Sequence, residues 1–359
     1  METLGEIRAL LASLLPGAEL ESAVPLSADS GTGETQKAVG YVEPLLLTVT
    51  QDGARRRLVL RFGKPDEFGH RRRSDRVQRF LLAFDTAHTL PRHAEVLDVG
   101  AVDQGDVLRS LRGCGEPYLL SEFAAGDPYA ADLRRVAETG RATSLDLSRS
   151  EALARYLAQL HALRLTADAL YRRTVRDLLG HGEGVFGIVD GYPEGVPAAP
   201  PERLQRLERA CWEWRWRLRG RDARFARIHG DFHPFNVLFR EATDFTVIGA
   251  ARGSAGDPAD DVTALAINYL FFALEKRGEA WDEGLGPLWR SFWATYLDES
   301  GDGALLGVAA PFLAWRALVL ANPRFYPRLA ERDRDALLAF VEDVLAEDSF
   351  DPGAAEALF

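Results

Sequence analysis

Apolar positions in the first third of the chain alternate in short runs, and one longer stretch has helical spacing. Strand-like runs at residues 45–50 and 57–61 flank Asp52-Gly53. An Asp-Gly pair between two such runs is typical of a β-hairpin. Residues 70–90 are predicted to form a helix and Glu116–Phe123 another strand. The pattern therefore indicates a β-rich N-terminal region with one prominent helix.

Beyond about residue 125 the apolar positions recur mainly at helical spacing. Residues 153–162 carry leucines three and four apart, and Val262–Leu274 is almost continuously apolar, which is typical of a buried helix. Further helices are predicted at residues 202–219, 286–297, 303–321 and 332–346. Because 359 residues suffice for two lobes, the sequence predicts an α+β fold, β-rich before about residue 125 and mainly helical after it.

One polar stretch interrupts the helical region and carries the strongest chemical signal. Residues 229–236 precede the strand-like run 237–239, so their polar side chains are presented from a rigid base. Asp231 could orient or deprotonate an attacking hydroxyl group. Asn236 offers a carbonyl oxygen that suits a hard cation such as Mg²⁺. The alternative is an Asx-rich turn in which both side chains only bond nearby backbone groups.

The surroundings of Asp231 favour the chemical interpretation. The pattern HGDxHPxN at residues 229–236 resembles the catalytic loop of the aminoglycoside phosphotransferase and choline kinase family, whose members are relatives of protein kinases. The sequence GDPADD at residues 256–261 is similar to the family's GDPxxD segment. The resemblance implies a two-lobed protein-kinase-like fold, ATP and Mg²⁺ as cofactors, and a small-molecule hydroxyl as acceptor. It also implies that Asp231 is catalytic, that His229 braces the loop and that Asn236 binds Mg²⁺.

A glycine occupies the position of the family's metal-binding aspartate. Gly249 lies thirteen residues after Asn236 and eight before Asp257, the spacing at which the family carries that aspartate. Mg²⁺ is typically held by one or two carboxylates together with phosphates and water, so Asn236 is left as the recognisable ligand. Three alternatives stay open: an inactivated enzyme, natural or engineered; recruitment of another carboxylate, with Asp244 and Asp257 nearest in sequence; or a fold kept for binding or other chemistry.

The N-terminal region contains candidates for binding nucleotide phosphates. Gly31 and Gly33 lie in a polar segment whose backbone N–H groups could cover phosphates, although a plain surface turn is the alternative. Residues 57–61 stand where the family has the strand that bears its phosphate-contacting lysine, which makes Arg61 the candidate and Lys64 the second choice. Arginine keeps the charge but is bulkier than lysine. The alternative for Arg61 is an arginine that faces solvent.

Residues 118–126 resemble the hinge of the family, a connecting strand whose backbone groups contact adenine. Ser121 and Phe123 are therefore predicted to lie at the nucleotide. Since backbone recognition leaves little side-chain signature, this prediction rests on position along the chain. The resemblance implies a nucleotide-binding lobe at residues 1–125 and a C-terminal lobe at residues 127–359 that contains the catalytic loop and the acceptor pocket.

Composition narrows the classes of function. The formal net charge of −11 argues against general nucleic-acid affinity and is compatible with a cationic acceptor. No apolar stretch reaches membrane-spanning length, and the N-terminal segment lacks a basic region and a cleavable apolar core. Cys114 and Cys211 give no disulfide framework. We expect a cytoplasmic ATP-dependent phosphotransferase of a small-molecule hydroxyl, or an inactive relative that binds a nucleotide or metabolite.

Overall fold

The computed structural model describes residues 3–25, 42–65, 70–88, 94–115, 121, 123–166, 169–250, 252–276 and 279–359. The chain divides into two units, Met1–Ser121 and Glu122–Phe359. Within the described ranges, no helix combines the length and the apolar character needed to cross a membrane.

The first unit is built on an antiparallel sheet in which β1 (Glu19–Pro25), β2 (Val42–Gln51) and β3 (Ala54–Gly63) lie in that order. Asp52 and Gly53 join β2 to β3, and both have positive φ angles, 50° and 74°. A two-residue hairpin turn needs this conformation, and Asp-Gly adopts it at low cost. The hairpin predicted from the sequence is therefore present.

A short helix packs on this sheet. Helix α1 (Thr3–Leu14) contributes Ile7 and Leu11 to a small buried core that also contains Leu47 and Val49 of β2. The unit also contains α2 (Arg73–Ala87), β4 (Gly100–Val102) and β5 (Leu108–Ser110), and the two strands pair antiparallel.

The second unit is mainly helical. Its helices are α3 (Tyr129–Thr139), α4 (Ser144–His161), α5 (Leu170–Gly180), α6 (Val185–Asp190), α7 (Pro201–Arg217), α8 (Pro258–Leu274), α9 (Gly286–Ser300), α10 (Ala310–Ala321) and α11 (Glu331–Ala346). Its strands are β6 (Asp127–Pro128), β7 (Ala226–Arg227), β8 (Val237–Phe239), β9 (Phe245–Val247) and β10 (Ala255–Gly256). They pair antiparallel as β6-β8-β9 and as β7-β10.

Helix α8 lies at the centre of the large core of the second unit, and nearly all its residues are buried. The side chain of Asp257 caps the helix by accepting the N–H of Ala259 at 2.9 Å, and Pro258 favours a helix start because its φ is already helical. A helix that is apolar on all sides must be enclosed by other elements. Helices α3, α4, α9 and α10 pack against it, as the continuous apolar run predicted.

Some predicted boundaries are wrong. The helix predicted at residues 303–321 begins at Ala310, because Gly303–Leu305 forms a separate 3₁₀ turn and Pro311 sets the start of α10. The helix predicted at residues 70–90 spans Arg73–Ala87. Residues 116–120 and 122 of the predicted strand lie outside the described residues.

Candidate functional site

The loop between β7 and β8 carries residues 229–236 and is attached to the central helix. Gly230 has a φ of 83°, and a Cβ atom there would lie 2.6 Å from the carbonyl oxygen of Gly253, so this position requires glycine. The carboxylate of Asp261, on α8, accepts the N–H of His229 at 2.6 Å and that of Gly230 at 2.8 Å. Asp261 is fully buried and therefore fixes the start of the loop to the core.

Two buried histidines contact the same attachment point. His161, the last residue of α4, lies 2.8 Å from the Tyr296 hydroxyl through Nδ1 and 3.2 Å from Asp261 through Nε2. His229 Nδ1 accepts the N–H of Asp231 at 3.3 Å. Burial lowers the pKa of His229 against the opposing charges of Asp261 and Asp231. A neutral His229 that bonds within the loop is consistent with a bracing role.

The carboxylate of Asp231 is bound by two arginines for which the sequence had suggested no role. Asp231 Oδ1 accepts a hydrogen bond from Arg252 Nη2 and another from Arg316 Nη1, the latter at 3.0 Å. Oδ2 lies 3.4 Å from Asn236 Nδ2 and 3.6 Å from His233 Nε2. Since a carboxylate oxygen accepts about two hydrogen bonds, Oδ1 is saturated. Oδ2 is the atom that can accept a hydrogen bond from a hydroxyl group.

The same neighbours keep Asp231 ionised. Burial alone would raise the pKa of this carboxyl. The nearby His233 imidazole, with its Nε2 atom 3.6 Å from Oδ2, and the charges of Arg316 and Arg252 outweigh burial and lower the pKa of Asp231 well below its ordinary range. A carboxylate with such a low pKa is a weak base at neutral pH. Asp231 is therefore better suited to orienting a hydroxyl group than to removing and keeping the proton of that hydroxyl.

Trp315, on α10, holds both arginines in place. The guanidinium carbon of Arg252 lies 4.6 Å from the centroid of the Trp315 ring, and that of Arg316 lies 3.9 Å away, which is the geometry of a cation–π contact. Arg252 Nε donates to the carbonyl oxygen of Gly230 at 2.9 Å, and Arg316 Nη2 donates to Asp260 Oδ1 at 2.6 Å. Two cations are thus fixed beside Asp231.

Gly249 lies directly against the Asn236 side chain. Its φ is 77°, and a Cβ atom there would approach Asn236 Nδ2 to 2.7 Å and Oδ1 to 2.8 Å. Asn236 Nδ2 donates to the backbone oxygen of Asp231 at 3.0 Å, and the N–H of Ile248 donates to the Asn236 backbone oxygen at 2.9 Å. An aspartate at position 249 would therefore require a different backbone conformation or a displaced Asn236.

The residues that are described do not fit Mg²⁺ at the expected place. Gly249 supplies no carboxylate. Asp244 forms an ion pair with Arg240 at 2.6 Å, and Asp257 pairs with Arg224 through both of its oxygens at 2.9 Å. Both candidates for recruitment are thus engaged elsewhere. Across the described part of the chain, no group of three or more His, Cys, Asp or Glu side chains could hold a metal ion.

The sequence-predicted nucleotide-binding residues are Arg61, Lys64, Gly31, Gly33, Ser121 and Phe123. Arg61 is exposed near the end of β3, and Lys64 is exposed just after that strand. Ser121 is exposed at the end of the first unit, and Phe123, in the second unit, is 91% exposed. Gly31 and Gly33 lie outside the described residues. The nucleotide-binding role of all six stays a prediction.

The roles of Arg252, Trp315 and Arg316 were missed at the level of sequence. A basic residue three positions after Gly249 is a local signal that could have drawn attention to Arg252. Arg316 lies 85 residues beyond Asp231, and only the packing of α10 brings it to the loop. No local pattern marks such a partner.

Comparison with known proteins shows the family and the fold class of this chain. The chain matches the model of the phosphotransferase enzyme family (APH) over residues 46–298, which is well over half its length, and it belongs to that family. Its α+β, protein-kinase-like fold class is the one predicted from the catalytic-loop motif. The sheet-containing region is N-terminal and the mainly helical region is C-terminal.

Several solved structures are similar to this chain at low identity. A macrolide 2'-phosphotransferase type I has 19% identity over 94% of this chain and 96% of that one, with a TM-score of 0.30. An ethanolamine kinase of Plasmodium vivax has 13% identity over 88% and 78%, with a TM-score of 0.35. A choline kinase of Cryptosporidium parvum has 12% identity over 98% and 92%, with a TM-score of 0.33. A search of curated proteins gave no significant match.

Proposed function

We propose that this protein transfers a phosphoryl group from ATP to a hydroxyl group of a small molecule. The observation that carries the proposal is the placement of the Asp231 carboxylate, on a loop that Asp261 attaches to the core. Its Oδ2 atom can accept a hydrogen bond from an acceptor hydroxyl. Membership of a phosphotransferase family supports phosphoryl transfer as the reaction class.

The proposed step depends on how the acceptor hydroxyl is positioned more than on proton transfer by a side chain. Asp231 Oδ2 orients the hydroxyl so that its oxygen faces the terminal phosphorus of ATP. A new O–P bond forms while the bond from that phosphorus to the bridging oxygen breaks, ADP leaves, and the hydroxyl proton passes by way of Asp231 Oδ2 to solvent water. His229 braces the loop. Arg61, with Lys64, would contact the phosphates, Gly31 and Gly33 would cover them, and the backbone at Ser121 and Phe123 would contact adenine.

The acceptor is proposed to be a small molecule, and the location is proposed to be the cytoplasm. The negative charge of the whole chain is compatible with a cationic acceptor. The local charge does not favour one, because Arg252 and Arg316 lie at the carboxylate that would orient the hydroxyl. Asn236 offers a cation only its carbonyl oxygen, so no step is assigned to Mg²⁺.

A second candidate is a member of the family that binds a nucleotide or metabolite without transferring phosphate. Two observations favour it. Gly249 supplies no carboxylate where the family has its metal ligand, and Oδ1 of Asp231 is already saturated by two guanidinium groups. The fold and the loop would be retained for binding in that case.

Thermal denaturation with ATP, combined with a transfer assay on a panel of sugars, amino sugars and amino alcohols, separates the two candidates. We expect ATP to stabilise the protein by about 1 kcal/mol or more once it exceeds its Kd severalfold, and one class of acceptor to be phosphorylated. Asp231→Asn should reduce transfer by about a hundredfold or more and still show stabilisation by ATP. Asp348→Asn, at an exposed position, is the matched control.

The absence of any stabilisation at millimolar ATP would contradict ATP-dependent transfer and nucleotide binding, and would leave only the metabolite-binding form of the second candidate. Stabilisation by ATP without transfer to any acceptor of the panel would support the binding-only candidate. Transfer that survives Asp231→Asn unchanged would remove the catalytic role from Asp231.

A further inference from the structure

Arg252 and Arg316 have more hydrogen-bond donors than their protein partners use. A guanidinium group offers about five N–H donors, whereas toward the described residues Arg252 uses only Nε and Nη2, and Arg316 only Nη1 and Nη2. Arg252 Nη1 lies 3.9 Å from the exposed Glu183 carboxylate, which is beyond hydrogen-bond distance. Arg316 Nε is buried and has no partner among the described residues. The pair can therefore bind further oxygen atoms.

The two guanidinium groups are also close enough for their positive charges to repel each other. Burial, followed by the charge of Arg316, lowers the pKa of Arg252, while Asp260, Asp231 and Glu183 oppose this shift. Asp231 shares one oxygen between the two guanidinium groups, and Asp260 pairs with Arg316. An additional anion bound to both arginines would relieve their repulsion. The cluster therefore has hydrogen-bond donors for an oxyanion and two cationic groups, whose charges are partly balanced by Asp231 and Asp260.

We propose that Arg252 and Arg316, fixed on Trp315, bind the phosphoryl oxygens of the nucleotide and allow the protein to bind it without a divalent cation. The inference rests on the proposed function and names the groups that meet the phosphates. Metal ions and arginines are the usual sources of positive charge in phosphoryl transfer. With Gly249 where a carboxylate would hold a metal, the two guanidinium groups supply that charge. They donate hydrogen bonds only, and they neither accept a proton nor form a covalent bond.

The position of the arginines favours the transferring phosphate over a distant anionic group of the acceptor. Both donate to Oδ1 of Asp231, and Oδ2 of the same carboxylate is the atom that would hold the acceptor hydroxyl. The two guanidinium groups therefore lie beside the carboxylate that would hold the hydroxyl, and Arg252 Nη1, on a partly exposed side chain, is an unused donor there. Planar guanidinium groups bind phosphate oxygens through two parallel hydrogen bonds, and Trp315 limits the motion that would otherwise weaken this contact.

The test measures ATP and tripolyphosphate binding by calorimetry, once with excess Mg²⁺ and once with EDTA. We expect the Kd for ATP in EDTA to lie within about threefold of its value with Mg²⁺. Arg252→Gln should weaken ATP and tripolyphosphate binding in EDTA by about tenfold to a hundredfold, the loss expected for charge-assisted hydrogen bonds. Arg252→Lys keeps the charge but loses the paired donors, so its loss should be smaller. Arg141→Gln removes an exposed arginine that pairs with Glu283 and should leave the Kd unchanged.

Each outcome decides between the two proposals. ATP binding that requires Mg²⁺ and is unaffected by Arg252→Gln would overturn the inference and leave the proposed function standing. No ATP binding under either condition would remove the proposed function itself. If hydroxy acids bind in the absence of ATP and lose affinity in Arg252→Gln, while tripolyphosphate does not bind, the arginines recognise an acceptor anion and the inference is overturned. Arg316→Lys, with folding checked by circular dichroism, repeats the test if Arg252→Gln does not fold.

Discussion

The loop at residues 229–236 and the neighbouring segment that contains Gly249 and Arg252 contribute different side chains to the surroundings of Asp231. The loop retains its His, Asp and Asn side chains, and Asp261 holds its backbone from the core. The segment has no side chain at Gly249 and instead contributes the guanidinium group of Arg252. Asp261, which holds the loop backbone, lies on α8. The geometry of the loop therefore does not depend on a carboxylate at position 249.

The largest effect is expected from cutting that attachment. Asp261→Ala leaves the N–H groups of His229 and Gly230 without their acceptor and removes one of the two partners of His161, all in a buried position. We expect the free energy of unfolding to fall by about 3–5 kcal/mol, as for other broken buried pairs. Urea denaturation measures it. The exposed Asp348→Ala should change the same quantity by about 0.5 kcal/mol or less. A similar small change in Asp261→Ala would mean that the loop is attached by other contacts.

A smaller, pH-dependent effect is expected at Asp231. Its pKa in the folded protein is lowered, so the ionised form stabilises the fold. This contribution is complete above the ordinary aspartate pKa, about 3.9, and is lost as the pH falls through the lower folded value. Asp231→Asn should reduce the free energy of unfolding by about 1–3 kcal/mol at pH 7, because two arginines lose their shared anion.

Urea denaturation of the parent and Asp231→Asn proteins from pH 7 to pH 3 checks this prediction. The difference between the two proteins should stay constant down to about pH 4 and then narrow. If the difference in free energy of unfolding between the two proteins widens in acid, Asp231 is not ionised in the folded protein. The contrast between an anionic loop and a cationic neighbouring segment would then be wrong.

The smallest effect on stability is expected at Gly249, where the two segments touch. Gly249→Asp and Gly249→Ala should both destabilise the protein by about 1–2 kcal/mol, because the left-handed backbone disfavours a Cβ atom, here one that would approach Asn236. Only the aspartate adds a carboxylate. We therefore expect Gly249→Asp to bind Mg²⁺-ATP more tightly than Gly249→Ala, as measured by calorimetry. Equal affinities would show that a carboxylate at this position does not restore a metal site.

Local sequence carried the information for some of these features and not for others. The spacing of Asp231, Asn236 and Gly249 could be read along one stretch of chain, and the apolar run of α8 predicted its burial. The saturation of Asp231 Oδ1 could not be read in this way, because Arg316 reaches it only through the packing of α10. The start of α10 was missed as well, since the apolar pattern continues through the preceding 3₁₀ turn.

Helix α10 is part of the core on nearly all sides and also carries Arg316 to the site. A mutation at position 316 therefore tests two properties in the same protein, the charge beside Asp231 and the packing of the helical unit. Position 252 lies on a partly exposed segment and is less constrained. Substitutions of Arg316 that favour another ligand are therefore expected to lower the free energy of unfolding more than substitutions of Arg252. Adaptation of this site is expected to begin on the segment that follows Gly249.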